Sequence, residues 1–490
     1  MKSFFAFTAL ALVSAQAAET FAFYHENVLG TSLELRVSAE SAQQAKAAET
    51  KVLSEIDRLS AILNTWKADS EISRWQTAGG KVRVSSDLAE VLAACDTWSA
   101  RSEGAFNAGV GAAGKVWKAA AAEQKLPTAA ELTALKNGPS AWTLDGTTAT
   151  YLAKPGDITV DGLAKGYIID RAVEAASADT QIHGIMLNIG GDLRVSGEWT
   201  EPVAIADPRQ AAENAPPLAV VPLKGQGMAT SGDYRRGYDI AGRHYSHIID
   251  PRTAMPVDHV VSASVVAPDA TTADALATAF NVLQPEESIA VAEKTPGVSC
   301  LIVSADGRQF RSSKWDAPTQ QKSVLPVAAP AGQEMELTVD FELNKPEAER
   351  YLRPYLAIWA EDKDGFPVRT LNLWILKGEK GLRWLPDLKR WSKADKMRRL
   401  ADPTDIVPTV SSATRNPGKY SVVWDGLDDQ KQQLPAGEYT LYIEAAREKG
   451  TYQLMKHVVK LGGEPFKATL EGNEEVKSAA LDYHAKAAAN

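Results

Sequence analysis

The chain has 490 residues, of which 44% are hydrophobic and 23% are charged, and its formal net charge is −9. This composition is typical of globular proteins, the length corresponds to about three domains, and the acidic balance excludes the basic footprint of a nucleic-acid-binding protein. Two cysteines, Cys95 and Cys300, are too few for a disulfide framework or a zinc ribbon, and they could either pair across the fold or lie buried as small apolar residues.

Residues 1–17 have the features of a secretory signal peptide. Lys2 precedes the apolar run Phe4–Val13, and Ala15-Gln16-Ala17 follows as a cleavage site of the A-x-A type. The run is too short to cross a bilayer, and no later segment approaches the roughly 20 apolar residues that a membrane-spanning helix needs. We therefore predict an exported, periplasmic protein that does not span the membrane.

Helical and strand patterns alternate from residue 18 to residue 322, which predicts an α+β domain. Apolar residues at helical spacing indicate three helices, at Ala42–Trp66, Leu88–Arg101 and Leu163–Ala176. Short β-rich runs lie between or after these helices, at Ile185–Ile189, Val261–Val266 and Ser299–Ser304.

Residues 323–333 are rich in Pro and Ala, have no periodicity and are predicted to form a linker. Residues 334–470 contain alternating runs and turn signals, which predict an all-β, immunoglobulin-like sandwich domain. The predicted strands are Glu334–Leu343, Leu356–Ala360, Thr370–Leu376, Tyr420–Trp424, Tyr439–Ala446 and Tyr452–Leu461. Residues 471–490 are rich in Ala, Lys and Glu and are expected to form a frayed tail.

The segment 109–115 (GVGAAGK) matches two glycine-rich nucleotide-binding patterns, but its context argues against both. A P-loop needs Ser or Thr after the lysine to hold magnesium, and this chain has Val116 there. A dinucleotide fingerprint needs a preceding hydrophobic strand, and residues 105–108 do not supply one.

A second segment, Ile158–Asp170, predicts a short β-branched strand that turns at Gly162 into an amphipathic helix. The unpaired N–H groups at a helix N-terminus suit a phosphate, and Lys165 in the first turn would add a full positive charge. The alternative is an ordinary strand–helix connection with a solvated lysine.

A third segment, Thr271–Phe280, predicts a helix capped by Thr271 or Thr272. Its apolar face consists of Leu276, Phe280 and Leu283. Asp274 and Thr278, four residues apart, lie together on the opposite side and offer two hard oxygen ligands for Mg²⁺. Two solvated polar residues are the alternative.

A fourth region combines Met228–Tyr234 with His244–Arg252. Its small hydroxyl residues and glycine let a backbone approach a ligand, but Ser231 is not in a G-x-S-x-G nucleophile elbow. His247 could serve as a general base or as a phosphate contact, or it could be a structural residue.

In order and spacing, these segments resemble the FAD:protein FMN transferases, the ApbE family. Eight motifs between residues 18 and 322 carry the resemblance: Leu29-Gly30-Thr31, the run from Asn64 to Ile72, Gly104–Asn107, Gly162–Tyr167, Asn188–Asp192, Thr230–Asp233, Ser246–Pro251 and Ala273–Thr278. The resemblance implies an enzyme that uses Mg²⁺ to split FAD, attaches FMN by a phosphoester bond to Thr or Ser of an exported or membrane-bound acceptor protein, and releases AMP.

The resemblance also implies roles for individual residues. The metal ligands would be Asp274, Thr278 and the main-chain carbonyl of Gly162, and His247 would assist the chemistry. The flavin-nucleotide contacts would be Leu29, Trp66, Ala105, Phe106, Asn107, Thr159, Lys165 and Ile248.

The chain departs from the family pattern at five positions, where the family usually has Met, Tyr, Asp, Asp and Gly: Leu29, Trp66, Asn107, Thr159 and Ala254. Trp66 keeps an aromatic face, whereas Asn107 and Thr159 remove negative charge but keep hydrogen-bonding capacity. These two residues make a non-catalytic flavin-binding protein a credible alternative. A second alternative is an FAD pyrophosphatase that yields FMN and AMP without transfer, which the sequence does not separate from a transferase.

Overall fold

The computed structural model describes residues 18–486 except for 137–140, 155–156, 179–180, 211, 233–236, 316–334, 346–350 and 449. The predicted signal peptide (residues 1–17) and the predicted linker (residues 323–333) lie outside the described residues. Both, and the domain boundaries that depend on them, stay predictions. Within the described part of the chain, no helix is long and apolar enough to cross a membrane.

Residues 18–315 contain eight helices, and the four that the sequence predicts are confirmed as α1, α3, α6 and α7. The helices are α1 (Ala42–Leu63), α2 (Glu71–Ala78), α3 (Ser86–Arg101), α4 (Gly111–Glu123), α5 (Ala129–Leu135), α6 (Asp161–Ser177), α7 (Ala270–Val282) and α8 (Pro285–Lys294). Helix α1 begins where the Ser41 side chain accepts a hydrogen bond from Gln44 N–H, and its apolar positions Val52, Ile56 and Leu59 are buried. The count applies to the described residues.

The same part of the chain contains seventeen strands, again counted over its described residues. They are β1 (Glu19–Val28), β2 (Thr31–Ala39), β3 (Gly80–Arg83), β4 (Trp142–Asp145), β5 (Thr148–Tyr151), β6 (Ile182–Ile189), β7 (Asp192–Gly197), β8 (Glu201–Ile205), β9 (Ala219–Leu223), β10 (Gly227–Gly232), β11 (Gly237–Ile240), β12 (Arg243–Ser246), β13 (Ile249–Asp250), β14 (Met255–Pro256), β15 (Val260–Ala267), β16 (Ser299–Ser304) and β17 (Gln309–Arg311). Eight of them form one antiparallel sheet in the order β1-β2-β6-β7-β10-β15-β16-β17.

The main core lies between this sheet and helices α1, α3, α6 and α7. Its buried side chains include Leu35 of β2, Leu187 of β6 and Leu59 of α1. The ribbon formed by β8 and β9 covers the other face of the sheet with a second apolar cluster. Cys95 and Cys300 are both free and buried, which confirms that they serve as small apolar residues rather than as a disulfide.

Residues 335–486 form two facing sheets, as the predicted sandwich requires. The strands are β18 (Met335–Leu343), β19 (Tyr355–Asp362), β20 (Pro367–Ile375), β21 (Ser411–Ala413), β22 (Gly418–Trp424), β23 (Gly437–Ala446), β24 (Tyr452–Leu461), β25 (Phe466–Glu471) and β26 (Val476–Ala485). One sheet has the order β22-β18-β26-β25, and the other has the order β21-β20-β19-β23-β24. Their inner faces bury a core of apolar residues that includes Trp374 and Trp424.

One prediction for this part of the chain was wrong. The segment 471–490 was expected to fray, but β26 pairs with both β18 and β25, and its Leu481 and Tyr483 side chains lie in the core. The domain is mostly β, as predicted, with three helices added after β20: α9 (Glu379–Leu382), α10 (Lys389–Ala401) and α11 (Val407–Val410). Helix α10 packs Trp391 and Ala394 on the outer face of the five-stranded sheet, which explains why a polar segment is ordered there.

The two parts of the chain contact each other directly through the loop between β8 and β9. The backbone of Ala212 forms a parallel bridge with Ser421 of β22. The Asn214 side chain donates to Val423 O (2.8 Å) and accepts from Val423 N–H (3.0 Å). Arg415 lies 2.9 Å from the buried Glu213 carboxylate. The sandwich is therefore docked on the first part by main-chain and ionic contacts.

Candidate active site

Helices α6 and α7 cross closely, and the crossing orients the predicted metal ligands. A Cβ atom at Gly166 of α6 would lie 2.3 Å from Ala270 O of α7, so the contact requires glycine. Gly166 N–H donates to the Asp274 carboxylate (3.0 Å). Asp274 is only 5% exposed, so it faces α6 rather than solvent, while Leu276 and Phe280 face the core as predicted.

The start of α7 differs from the prediction. The cap is Asp269, whose side chain accepts from Thr272 N–H (2.7 Å), whereas Thr271 and Thr272 lie in the first turn. Asp269 precedes the helix in an extended conformation, which lets its carboxylate turn back to the free N–H groups. A second carboxylate, Asp170 of α6, accepts from Ala270 N–H (2.9 Å). The beginning of α7 is therefore fixed by Asp269, which precedes the helix, and by Asp170 of the neighbouring helix α6.

The three predicted metal ligands lie together at this crossing. The Thr278 hydroxyl lies 3.4 Å from Gly162 O, and a Cβ atom at Gly162 would approach Thr278 Oγ1 to 3.0 Å. Asp274 lies one helical turn before Thr278 on the same side of α7. A carboxylate, a hydroxyl and a carbonyl are hard oxygen donors of the kind that Mg²⁺ binds.

The chemistry of this donor set fits a cation that shares its ligands with a substrate. Within the described ranges, no group of three or more His, Cys, Asp or Glu side chains is placed to hold a metal ion. Mg²⁺ usually keeps one or two carboxylates and takes its remaining ligands from phosphates and water.

The charges around Asp274 also favour a cation. Burial raises the pKa of Asp274 to about 7, and the neighbouring charge of Asp192 raises it as well. Burial likewise raises the pKa of Asp192, while the nearby Lys165 ammonium, 2.5 Å from the Asp192 carboxylate, lowers it. Two buried carboxyl groups thus share one lysine, and an added positive ion would stabilise their ionised forms.

A cleft of about 330 Å³ opens beside Gly162 and Thr278. Its lining includes four of the predicted flavin contacts: Ala105, Phe106, Asn107 and Thr159. It also includes residues that the sequence did not single out: Ala108, Val110, Ile249, Pro251 and Val282. Ile248 itself does not line this cleft, and its side chain packs against the main core.

Asn107 shapes one wall of the cleft. Its side-chain oxygen accepts from Gly109 N–H (2.8 Å) and caps a single 3-10 turn at Ala108–Val110. Thr159 N–H donates to Ala108 O (2.8 Å), which joins this turn to the segment before α6. Asparagine and aspartate are both good caps, so the substitution at Asn107 preserves this local structure.

Trp66 lies at the N-terminus of α6 and is 79% exposed. Its indole N–H donates to the Asp161 carboxylate (3.2 Å), and the Thr65 hydroxyl donates to the same carboxylate (3.1 Å). Asp161 N–H in turn lies 3.3 Å from the Thr159 hydroxyl. Asp161 was missed as a site residue, although its place directly before Gly162 was a signal that could have identified it.

Besides Ile248, three predicted site residues lie away from the lining of this cleft. Leu29 lies in the turn between β1 and β2 with a positive φ of 49°, half-buried against the main core. His247 is exposed between β12 and β13. Lys165 pairs with Asp192 near Asp274, as described, rather than lining the cleft. Their roles toward a nucleotide stay predictions.

A larger cavity of about 750 Å³ lies between the β1–β2 turn and the sandwich, where Glu26, Asn27, Arg353 and Trp384 are among its lining residues. It contains none of the predicted site residues. Gly162 and Thr278 line the smaller cleft, and Asp274 lies one helical turn before Thr278, so we assign the candidate active site there.

Comparisons with known proteins match both parts of the chain. A model of the ApbE family matches residues 29–302, and a model described as a predicted periplasmic protein (DUF2271) matches residues 336–478. The chain is 30% identical over 316 residues to the FAD:protein FMN transferase of Haemophilus influenzae, covering 61% of this chain and 91% of that protein. It is also 30% identical over 314 residues to the protein of the same name from Escherichia coli K12, covering 61% and 87%.

Solved structures resemble the first part of the chain. The flavin transferase ApbE of Vibrio cholerae matches with a TM-score of 0.50 and 25% identity, covering 60% of this chain and 98% of that one. The ApbE protein of Thermotoga maritima matches with a TM-score of 0.53 and 28% identity, covering 60% and 97%. The predicted α+β fold class of this part is thereby confirmed.

Proposed function

Because the chain belongs to the ApbE family, we propose that it is a magnesium-dependent FAD:protein FMN transferase that modifies Thr or Ser of an exported acceptor protein. The observation that carries the proposal is the convergence of Asp274, Thr278 and Gly162 O beside a cleft lined by Phe106, Asn107 and Thr159. We further propose a periplasmic location, which is supported by the predicted signal peptide and by the description of the family that matches residues 336–478.

In the proposed reaction, the acceptor hydroxyl oxygen attacks the FMN-side phosphorus of FAD. A new P–O bond forms, the P–O bond to the AMP oxygen breaks, and AMP leaves. When bound, Mg²⁺ would neutralise the charge of the diphosphate and polarise the phosphorus. Asp274, Thr278 and Gly162 O would hold this ion between α6 and α7.

The other residues of the site would position the substrate and move the proton. Trp66, held by Asp161, offers an exposed aromatic face for the adenine ring. The Lys165 ammonium lies beside Asp274 and would attract the diphosphate. We propose that His247 accepts the proton of the acceptor hydroxyl, as a neutral imidazole can. Positioning and charge stabilisation together supply most of the catalysis in phosphoryl transfer.

The proposal is tested by incubating the purified protein with FAD, Mg²⁺ and candidate acceptor proteins. Covalent flavin on an acceptor, with an equal amount of AMP released, would support a transferase. Free FMN with AMP would instead identify a pyrophosphatase, and unchanged FAD would identify a non-catalytic flavin-binding protein. Asp274→Ala should abolish turnover, whereas Asp57→Ala, at an exposed position of α1, should retain it.

A further inference from the structure

One face of helix α10 is exposed and carries no acidic residue. Trp391 and Ala394 lie on the buried face, against the five-stranded sheet. The opposite face has exposed residues at positions i, i+4, i+7, i+8 and i+11: Lys389, Lys393, Lys396, Met397 and Leu400. Leu400 is 89% exposed.

Strand β24, at the edge of the same sheet, continues this surface. Its alternate residues are exposed: Tyr452, Leu454, Lys456, Val458 and Lys460. Lys389 lies 5.0 Å from the centre of the Tyr452 ring, so the helix row and the strand row adjoin. Glu444 of β23 accepts hydrogen bonds from both Arg390 N–H (2.8 Å) and the Tyr452 hydroxyl (2.7 Å), which places α10 and this face of β24 on the same side.

We call these ten residues the lysine face. It contains five lysines and five apolar side chains, in a chain whose net charge is −9. Two nearby acidic groups are already engaged: Glu444 is buried and hydrogen-bonded, and Asp395 pairs with Arg398 and Arg399. Glu438, exposed opposite Lys460, is an acidic residue at the end of the strand row. The lysine face therefore presents positive charge with apolar side chains between the charges.

We infer that the lysine face binds the surface of an anionic phospholipid bilayer. Lysines interleaved with exposed Leu, Met, Tyr and Val are typical of surfaces that lie in the headgroup region. The ammonium groups would contact lipid phosphates while Leu400 and Val458 enter the boundary with the acyl chains. The composition of the lysine face fits a protein–protein interface less well, because such interfaces are depleted of lysine. This inference goes beyond the proposed function and does not depend on it.

The test is co-sedimentation of the full protein with vesicles, without FAD or Mg²⁺. The protein should sediment with vesicles that contain phosphatidylglycerol, less with phosphatidylcholine alone, and less at high salt, which screens the lysines. A triple variant with Lys389→Glu, Lys393→Glu and Lys396→Glu should bind these phosphatidylglycerol vesicles at least about tenfold more weakly. The reason is that each surface lysine adds to the electrostatic attraction between the protein and the anionic lipid.

A matched triple variant controls for net charge. Lys81→Glu, Lys118→Glu and Lys224→Glu change the same charge at exposed positions far along the chain from the lysine face, and should leave binding within about twofold. Leu400→Gln, at an exposed position that does not support the fold, should also weaken binding. The inference is overturned if the wild type does not sediment with phosphatidylglycerol vesicles, or if both triple variants lose binding equally.

Discussion

The Asp170 carboxylate on α6 accepts hydrogen bonds from both the backbone N–H (2.8 Å) and the hydroxyl (2.6 Å) of Thr271, 101 residues later in the chain. The same carboxylate accepts from Arg194 (2.8 Å). Thr271 lies one turn before Asp274, so these bonds fix both the position and the rotation of the helix that carries the proposed metal ligands. Asp170 is thus a positioning residue.

We expect Asp170→Ala to weaken both folding and magnesium binding. The change leaves Arg194 without its carboxylate and frees two N–H groups of α7, so the free energy of unfolding should fall by about 3 kcal/mol. Denaturant unfolding would measure this loss, and a magnesium titration followed by tryptophan fluorescence would measure the affinity. Asp170→Asn keeps one acceptor oxygen, so it should recover part of the lost stability and part of the lost magnesium affinity. Unchanged magnesium affinity in Asp170→Ala would contradict the positioning role.

Gly162→Ala tests the metal site by adding one methyl group. The new Cβ would lie 3.0 Å from Thr278 Oγ1 and 3.3 Å from the Phe106 ring, so Thr278 must move. We expect magnesium affinity and flavin transfer to fall about tenfold or more, because a displacement well below 1 Å already disrupts a ligand set.

Gly114→Ala is the matched control for this change. Gly114 lies within α4, and a Cβ there meets no atom within 4 Å. We expect this variant to be slightly more stable, by about 0.5–1 kcal/mol, and fully active. Equal activity of the two variants, with both folded, would argue against the proposed position of the metal.

Trp66→Ala should weaken FAD binding by about tenfold, since stacking of a base on an aromatic side chain contributes about 1–3 kcal/mol. Trp66→Phe keeps a ring but removes the N–H group that contacts Asp161, so its effect should be smaller. Quenching of flavin fluorescence gives both affinities. Trp384→Ala, at another exposed tryptophan, is the control and should leave FAD affinity unchanged. If Trp384→Ala lowered FAD affinity as much as Trp66→Ala, the assignment of Trp66 as the stacking residue would be wrong.

The buried carboxyl group of Glu444 should make the stability of the sandwich depend on pH. Burial raises the pKa of Glu444 above its ordinary value of 4.5, although N–H groups of Arg390 and Trp391 lower it. A raised carboxyl pKa contributes stability that is fully present below the unfolded pKa and is lost as pH rises through the folded pKa. Relative to Glu444→Gln, the wild type should therefore lose stability as the pH rises above about 4.5.

Urea unfolding of both proteins at several pH values checks this prediction. Glu474→Gln, at an exposed position, serves as the control and should differ from the wild type by a constant small amount. A difference between wild type and Glu444→Gln that stays the same at every pH would show that the buried carboxyl does not titrate in this range.

Local patterns were sufficient to predict much of the fold. The spacing of Val52, Ile56 and Leu59 identified α1, and alternation identified the strands of the sandwich. Helix α10 was missed because only a few of its positions, such as Trp391 and Ala394, are buried and apolar, so the segment has no clear apolar stripe. Strand β26 was missed because its small residues are typical of a helix, and its conformation depends on pairing with β18.

The sequence predicted those parts of the candidate site that lie within one helix or one motif. Asp274 and Thr278 were paired by their spacing, and Gly162 was added by family resemblance. The partners Asp170, Asp192 and Asp161 were not identified, because their roles arise from contacts between segments that are distant in sequence. The same reason explains why the sequence left solvation of Asp274 open as an alternative, whereas α6 covers this residue.

The backbone bridge between Ala212 and Ser421 affects how the sandwich would behave if it were separated from the first part of the chain. Strand β22 is the outermost strand of its sheet, and the loop that carries Asn214 occupies backbone groups which would otherwise be open. An uncovered strand of this kind is a template for another chain. The sandwich released from the rest of the protein would therefore tend to self-associate along β22, so the first part of the chain also protects the sandwich from aggregation.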